Sequence, residues 1–183
     1  MKQIIRALPS GAVVVADHWH ILRDGEGEPV LPAGSQVLLP LPLWRRLRQD
    51  GVALDASAVG VWIGCDDEYE GLAGELLALP LIAVDFPAFR DGRGYSVAYL
   101  LRSRFGYRGE LRAIGDVLRD QLFYMQRCGF DSFDVRADKD IDDALRGLTA
   151  YTIRYQGAVD DPVPLFRKRA EAAPDTADDG WAL

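Results

Sequence analysis

The stretch from Leu81 to Arg136 limits most severely what this chain can fold into. It reads LIAVDFPAFRDGRGYSVAYLLRSRFGYRGELRAIGDVLRDQLFYMQRCGFDSFDVR. Two short apolar runs, Leu81–Phe86 and Leu111–Gly115, each finish on an aspartate: Asp85 lies within the first and Asp116 just after the second. Each run is followed by a turn and then by a segment of helical periodicity, and a third run, Phe133–Val135, closes the pattern. Strand, helix, strand, helix, strand at this spacing predicts parallel βα units. The near-continuous apolar character of Leu81–Phe86 fits a strand covered on both faces, as in a parallel sheet.

The same rhythm extends outward. Val59–Ile63 reads as a strand, and Glu68–Leu79 as a helix stopped by Pro80. Ser96 is placed to cap a helix over Val97–Phe105. Leu118–Cys128 reads as a helix ended by Gly129, and Asp138 as the cap of Ile141–Leu148. Ala150–Gln156 fits an edge strand or extended segment. In the N-terminal third, Ala12–Ala16, Trp19–Leu22 and Gln36–Leu39 are candidate strands, followed by a helix over Leu43–Gln49. The expected fold class is therefore α/β: parallel βα units, as a half-barrel or an open sheet, with a small N-terminal antiparallel β extension. The expected divisions are residues 1–57 for the β and helix extension, 58–158 for the parallel core, and 159–183 for a flexible tail rich in Pro, Ala and Asp.

Charge narrows the partners. Twenty-one basic against 28 acidic residues give a net charge of −7, which argues against nucleic-acid or anionic-membrane binding but leaves room for a local basic pocket. The N-terminus lacks the pattern of a signal peptide and no apolar run is long enough to span a bilayer, so a cytoplasmic protein is expected. Cys65 and Cys128 match no metal-ligand spacing, and no metal is expected. GxGxxG, GxxxxGK[ST] and CxxC are all absent, so no cofactor is expected either. Cys128 falls on the apolar side of its helix, whereas Cys65 sits at a strand exit where neighbouring carboxylates should raise its pKa.

In parallel α/β sheets ligands bind at the carboxyl ends of the strands. That rule gathers Asp66, Asp85, Arg90, Arg93, Asp116, Arg119 and Asp120 at one edge. Arg93, Gly94 and the Ser96 amide, with Arg90, Arg119 and Asp120, make a candidate anion or substrate site at a helix start. Asp85 and Asp116 are the candidate catalytic carboxylates, serving as a general base or as orienters of the arginines. Three readings of this edge stand side by side: charges that pair with one another to fix the loops, a small-anion site, and a protein-docking surface. At the far end, Trp181 and Leu183 follow an acidic pair in DDGWAL and are candidate partner-binding residues.

Two of these stretches, LIAVDFPAFRDGRGYS and LLRSRFGYRGELRAIGDVLRDQLFYMQRCGFDSF, resemble a bacterial family of unknown function. PLPLWRRL and the GVWI strand extend the likeness, which covers most of Leu39–Val135. Genes of that family usually lie beside the gene of the sulfite reductase hemoprotein. The resemblance implies an accessory or adaptor protein of assimilatory sulfite reduction, or an oxidoreductase component of it. It implies sulfite reductase or its electron donor as partner and carries no catalytic residue with it.

Overall fold

The computed structural model describes residues 2–23, 35–151 and 153–172. Among them eight strands form one sheet: β1 (Gln3–Leu8), β2 (Gly11–Ala16), β3 (Trp19–Ile21), β4 (Gln36–Pro40), β5 (Val59–Ile63), β6 (Leu81–Phe86), β7 (Glu110–Gly115) and β8 (Ser132–Phe133). The order across the sheet is β2-β1-β8-β7-β6-β5-β4-β3. Strands β3 to β8 pair in parallel, while β1 pairs antiparallel with both β2 and β8. The sheet curls into a half-barrel. Consecutive parallel strands lie side by side from β3 to β8, the order that such curvature requires.

The N-terminal extension is antiparallel only at β1 and β2. Trp19–Leu22 and Gln36–Leu39, expected to continue a meander, instead pair in parallel at the opposite edge of the sheet, with Trp19 opposite Gln36 and Ile21 opposite Leu38. Apolar alternation marks a strand but not the direction of its neighbour, which depends on distant register.

Among the described residues six α-helices accompany the sheet: α1 (Leu41–Gln49), α2 (Ala73–Leu76), α3 (Arg93–Ser103), α4 (Arg119–Cys128), α5 (Ile141–Leu145) and α6 (Leu165–Ala172). Helix α1 starts directly after β4, with Pro42 in the first turn, where no N–H is needed. The long helix expected over Glu68–Leu79 is a 3-10 turn, Glu70–Leu72, followed by the single turn of α2. Gly71 and Gly74 lower helix propensity there by about 1 kcal/mol each. Helix α3 begins at Arg93, so Ser96 lies inside its first turns and does not cap it. Asp140, rather than Asp138, caps α5 by accepting from Asp143 N at 2.9 Å. Residues 150–151 and 153–156 join no strand. Helix α4 ends at Gly129, whose φ of +108° is a left-handed position that glycine adopts without strain.

The main core lies between the sheet and the helices. Val37, Val61, Ile82, Val84, Leu111, Ala113 and Phe133 point to this side and meet Trp44, Leu76, Leu101, Leu122 and Met125. The opposite face holds a smaller cluster of Leu38, Trp62, Leu81, Ala83 and Ile114, against which Trp19 and Ile21 pack from the edge strand. Gly60 makes room for this arrangement: a Cβ there would lie 3.2 Å from the Trp19 ring and 2.8 Å from Leu38.

On the same face Arg112 is buried at 1% exposure. It donates to Asp17 Oδ1 at 2.9 Å, Glu110 Oε1 at 2.7 Å and Ser132 Oγ at 3.1 Å, tying the connection before β3 to β7 and β8.

Candidate functional site

The carboxyl ends of β5 to β8 meet the start of β1 and the residues just after β3. Asp85, near the end of β6, accepts from Arg23 Nη1 at 2.7 Å. Arg23 reaches it by crossing the end of β5: its guanidinium lies 5.4 Å from the centroid of the Trp62 ring, and Trp62 Nε1 donates to Leu22 O at 2.8 Å. Gly115 lets Asp85 approach β7. Its φ is +93°, and a Cβ there would stand 2.4 Å from Phe86 O and 2.8 Å from Asp85 Oδ1. Cys65 donates its thiol hydrogen to Asp85 O at 3.4 Å. Burial pushes that thiol's pKa up, and the nearby Asp91 carboxylate adds to the effect. Carboxylates alone were expected to do this; desolvation contributes more.

Asp116 holds two loops together. Its Oδ2 accepts from Phe89 N at 2.8 Å in the β6 exit loop, and its Oδ1 accepts from Arg136 Nη1 at 2.7 Å beyond β8. Gln121 grips the same loop from α4: its Nε2 donates to Phe89 O at 3.2 Å while its Oε1 accepts from Leu118 N at 2.9 Å. The backbone at Phe89 is thus clamped on both its donor and its acceptor. Arg136 also donates to Asp138 through Nε at 2.6 Å, which holds the Asp138 carboxyl at about 2, below the usual range.

The other residues expected here separate into groups. Arg93 donates to Asp91 at 2.7 Å and also binds Asp66, so two carboxylates neutralise it, and the Asp91 carboxyl is held at about 2. Gly94 is buried against the sheet, where a Cβ would stand 2.7 Å from the Phe86 ring; it serves close helix–sheet packing. Ser96 and Arg90 are exposed. Arg119 pairs with Asp143 at 2.8 Å and, with Asp120, lines a different cavity of about 630 Å3 beside Phe123, Tyr124 and Tyr151. Trp181 and Leu183 lie outside the described residues.

A cavity of about 410 Å3 opens at the strand ends next to the two Asp–Arg pairs. Lys2, Arg23, Arg136 and Lys139 line it, together with Asp134. None of these five was picked out from the sequence. Arg136 and Asp134 follow the last strand directly, so the strand-end rule that selected Asp85 and Asp116 also reaches them. Arg23 depends on β3 running parallel, and Lys2 on β1 running antiparallel to β8. Among the described residues no group of three or more His, Cys, Asp and Glu side chains is placed to hold a metal ion.

A family model of bacterial proteins of unknown function (DUF934) matches residues 60–166, more than half of the 183-residue chain. The chain belongs to this family. The matched span runs from the second residue of β5 past β8 and includes Asp85, Asp116 and Arg136, while Lys2 and Arg23 lie before it. The chain matches no curated protein and no solved structure. Among the described residues no helix is long and apolar enough to cross a membrane.

Proposed function

We propose that this chain is a cytoplasmic accessory protein of assimilatory sulfite reduction, acting with sulfite reductase or its electron donor, and that its working surface is the strand-end edge. The observation that carries the reading is the gathering of Arg23 and Arg136, with Lys2 and Lys139, around one strand-end cavity of a chain whose net charge is −7. Guanidinium forks match the oxygen geometry of sulfur and phosphorus oxyanions. Arg23 and Arg136 already hold carboxylates, but their side chains are 41% and 40% exposed. Asp85 and Asp116 are only 16% and 23% exposed, so an arriving anion shares the guanidinium donors with them, and its own charge-assisted bonds offset what the carboxylates lose. The sulfite assignment is supported by the resemblance of the Leu81–Phe133 stretches to a family encoded beside the sulfite reductase hemoprotein.

Catalysis on a small anionic substrate is the second reading. It is favoured by Asp85 and Asp116 at the ends of adjacent strands, each beside an arginine that would turn toward the anion. Growth of a deletion strain on sulfate as sole sulfur source, together with co-purification of sulfite reductase, tests both. The accessory reading expects lost growth and a retained complex when the wild-type chain is restored with a tag. Restoration by Asp85→Asn and Asp116→Asn variants removes catalysis but keeps the accessory role. Normal growth of the deletion strain overturns the assignment.

A further inference from the structure

We infer that the strand-end cavity binds a small organic molecule bearing a phosphate or sulfate head, rather than a bare inorganic oxyanion. The inference deepens the anion reading of this edge and rests on it.

Charge defines the head. Among the described residues, four cations and one carboxylate line the cavity. The cations are partly exposed: 45% for Lys2, 41% for Arg23, 40% for Arg136 and 46% for Lys139. Each now rests on a carboxylate: Lys2 on Asp134 at 2.5 Å, Arg23 on Asp85 at 2.7 Å, Arg136 on Asp116 at 2.7 Å and Lys139 on Asp138 at 3.3 Å. Asp85 stands on β6, Asp116 on the exit of β7, and Asp134 and Asp138 on the segment after β8, so the cations face the opening from three strand exits, with Arg136 and Lys139 sharing Asp138. An oxyanion in the middle has charge-assisted donors on several sides, as a tetrahedral head requires.

Size and lining define the rest of the ligand. A volume of about 410 Å3 lies within the range of pockets that take whole organic ligands, roughly 300–1,000 Å3. A sulfate or phosphate ion has five heavy atoms and leaves most of this space unfilled. Among the described residues the remaining wall is not charged: Val135 and Ile141 contribute aliphatic surface, and Gly115 contributes bare backbone. At Gly115 a Cβ would stand 2.4 Å from Phe86 O, so this position of the wall carries no side chain. A charged head at the arginines and an apolar body against Val135 and Ile141 satisfies both halves.

Isothermal titration of the full chain with phenyl phosphate, phenyl sulfate, inorganic phosphate, inorganic sulfate and phenol tests this. At least one phenyl ester should bind about tenfold or more tightly than its inorganic parent, with phenol silent. Binding by one ester alone identifies its head as the preferred one. Arg136→Gln should weaken the bound ester about tenfold or more. Ile141→Ser should weaken the ester and leave the inorganic parent unchanged, with circular dichroism confirming that both variants fold. Equal affinity for ester and parent overturns the organic ligand and leaves the anion reading intact. No binding of any anion overturns both. Ester binding unaffected by Arg136→Gln and Arg23→Gln places the site elsewhere and overturns the inference.

Discussion

Arg112→Met should be among the most damaging single substitutions in this chain, although Arg112 itself does not line the strand-end cavity. The side chain is 2% exposed, as against 0% for Asp17 and 13% for Glu110. Asp17 Oδ2 has no hydrogen-bond donor, and the closest ammonium to it, Lys2 Nζ, is 3.8 Å away. Arg112 is therefore the main compensation for a carboxylate removed from water. Methionine replaces much of its volume but leaves that charge uncompensated. Breaking a buried pair in this way costs about 3–5 kcal/mol. At about 2–4 °C per kcal/mol for a domain of this size, the melting temperature should fall by about 6–20 °C.

Removing the stranded charge should reverse much of the loss. Arg112→Met combined with Asp17→Asn should be clearly more stable than Arg112→Met alone, since a pair replaced on both sides can be nearly neutral. Urea unfolding of the wild type, both single variants and the double variant measures the coupling, with an unchanged slope showing that the unfolded state is comparable. A single variant within about 1 kcal/mol of wild type, or a double variant whose loss is the sum of the singles, refutes the account of a buried, mutually dependent pair.

Gly94→Ala gains up to about 1 kcal/mol of helix propensity but forces a methyl group against the Phe86 ring, at a cost of about 1–3 kcal/mol, so it should destabilise modestly. A rise in melting temperature would show that the ring yields. For Asp138, pairing lowers the folded pKa to about 2 from 3.8; its stabilisation is complete above the unfolded value and lost as pH falls through about 2. Arg136→Gln should return the Asp138 carboxyl titration, followed by carbon chemical shift, toward 3.8; an unmoved midpoint removes the pair. Cys65, with its thiol pKa raised by burial and by Asp91, should alkylate more slowly than a free thiol at pH 8, and Asp91→Asn should speed it; indifference to that variant would exclude the carboxylate's influence.

How much of this was readable in the residues depends on whether a feature is decided locally. Strands β5 and β6 have the bounds expected from their apolar runs, because Gly64, Pro80 and Pro87 mark their limits and burial on both faces keeps them apolar except at Asp85 near the exit of β6. The helix at Glu68–Leu79 was expected from leucine spacing, but two glycines outweigh that spacing, and only the turn that buries Ala73 and Leu76 is α-helical. Strand direction at β3 was not readable, since a three-residue run carries no record of its partner.

The two Asp–Arg pairs at the strand ends divide along the same line. Asp85 and Asp116 were legible because each terminates an apolar run, and the run alone places it at the sheet edge. Their cations come from 62 and 20 residues away in the chain. Arg136 was within reach of the strand-end rule, while Arg23 arrives only because the sheet curls and turns its edge strand parallel, carrying Leu22 over Trp62. Closure of the half-barrel thus brings cations from β1, β3 and β8 around carboxylates that β6 and β7 already present. A substitution that flattens the curl, such as a side chain at Gly60 pressing on Trp19 and Leu38, should therefore disperse the basic cavity while leaving both aspartates at their strand ends.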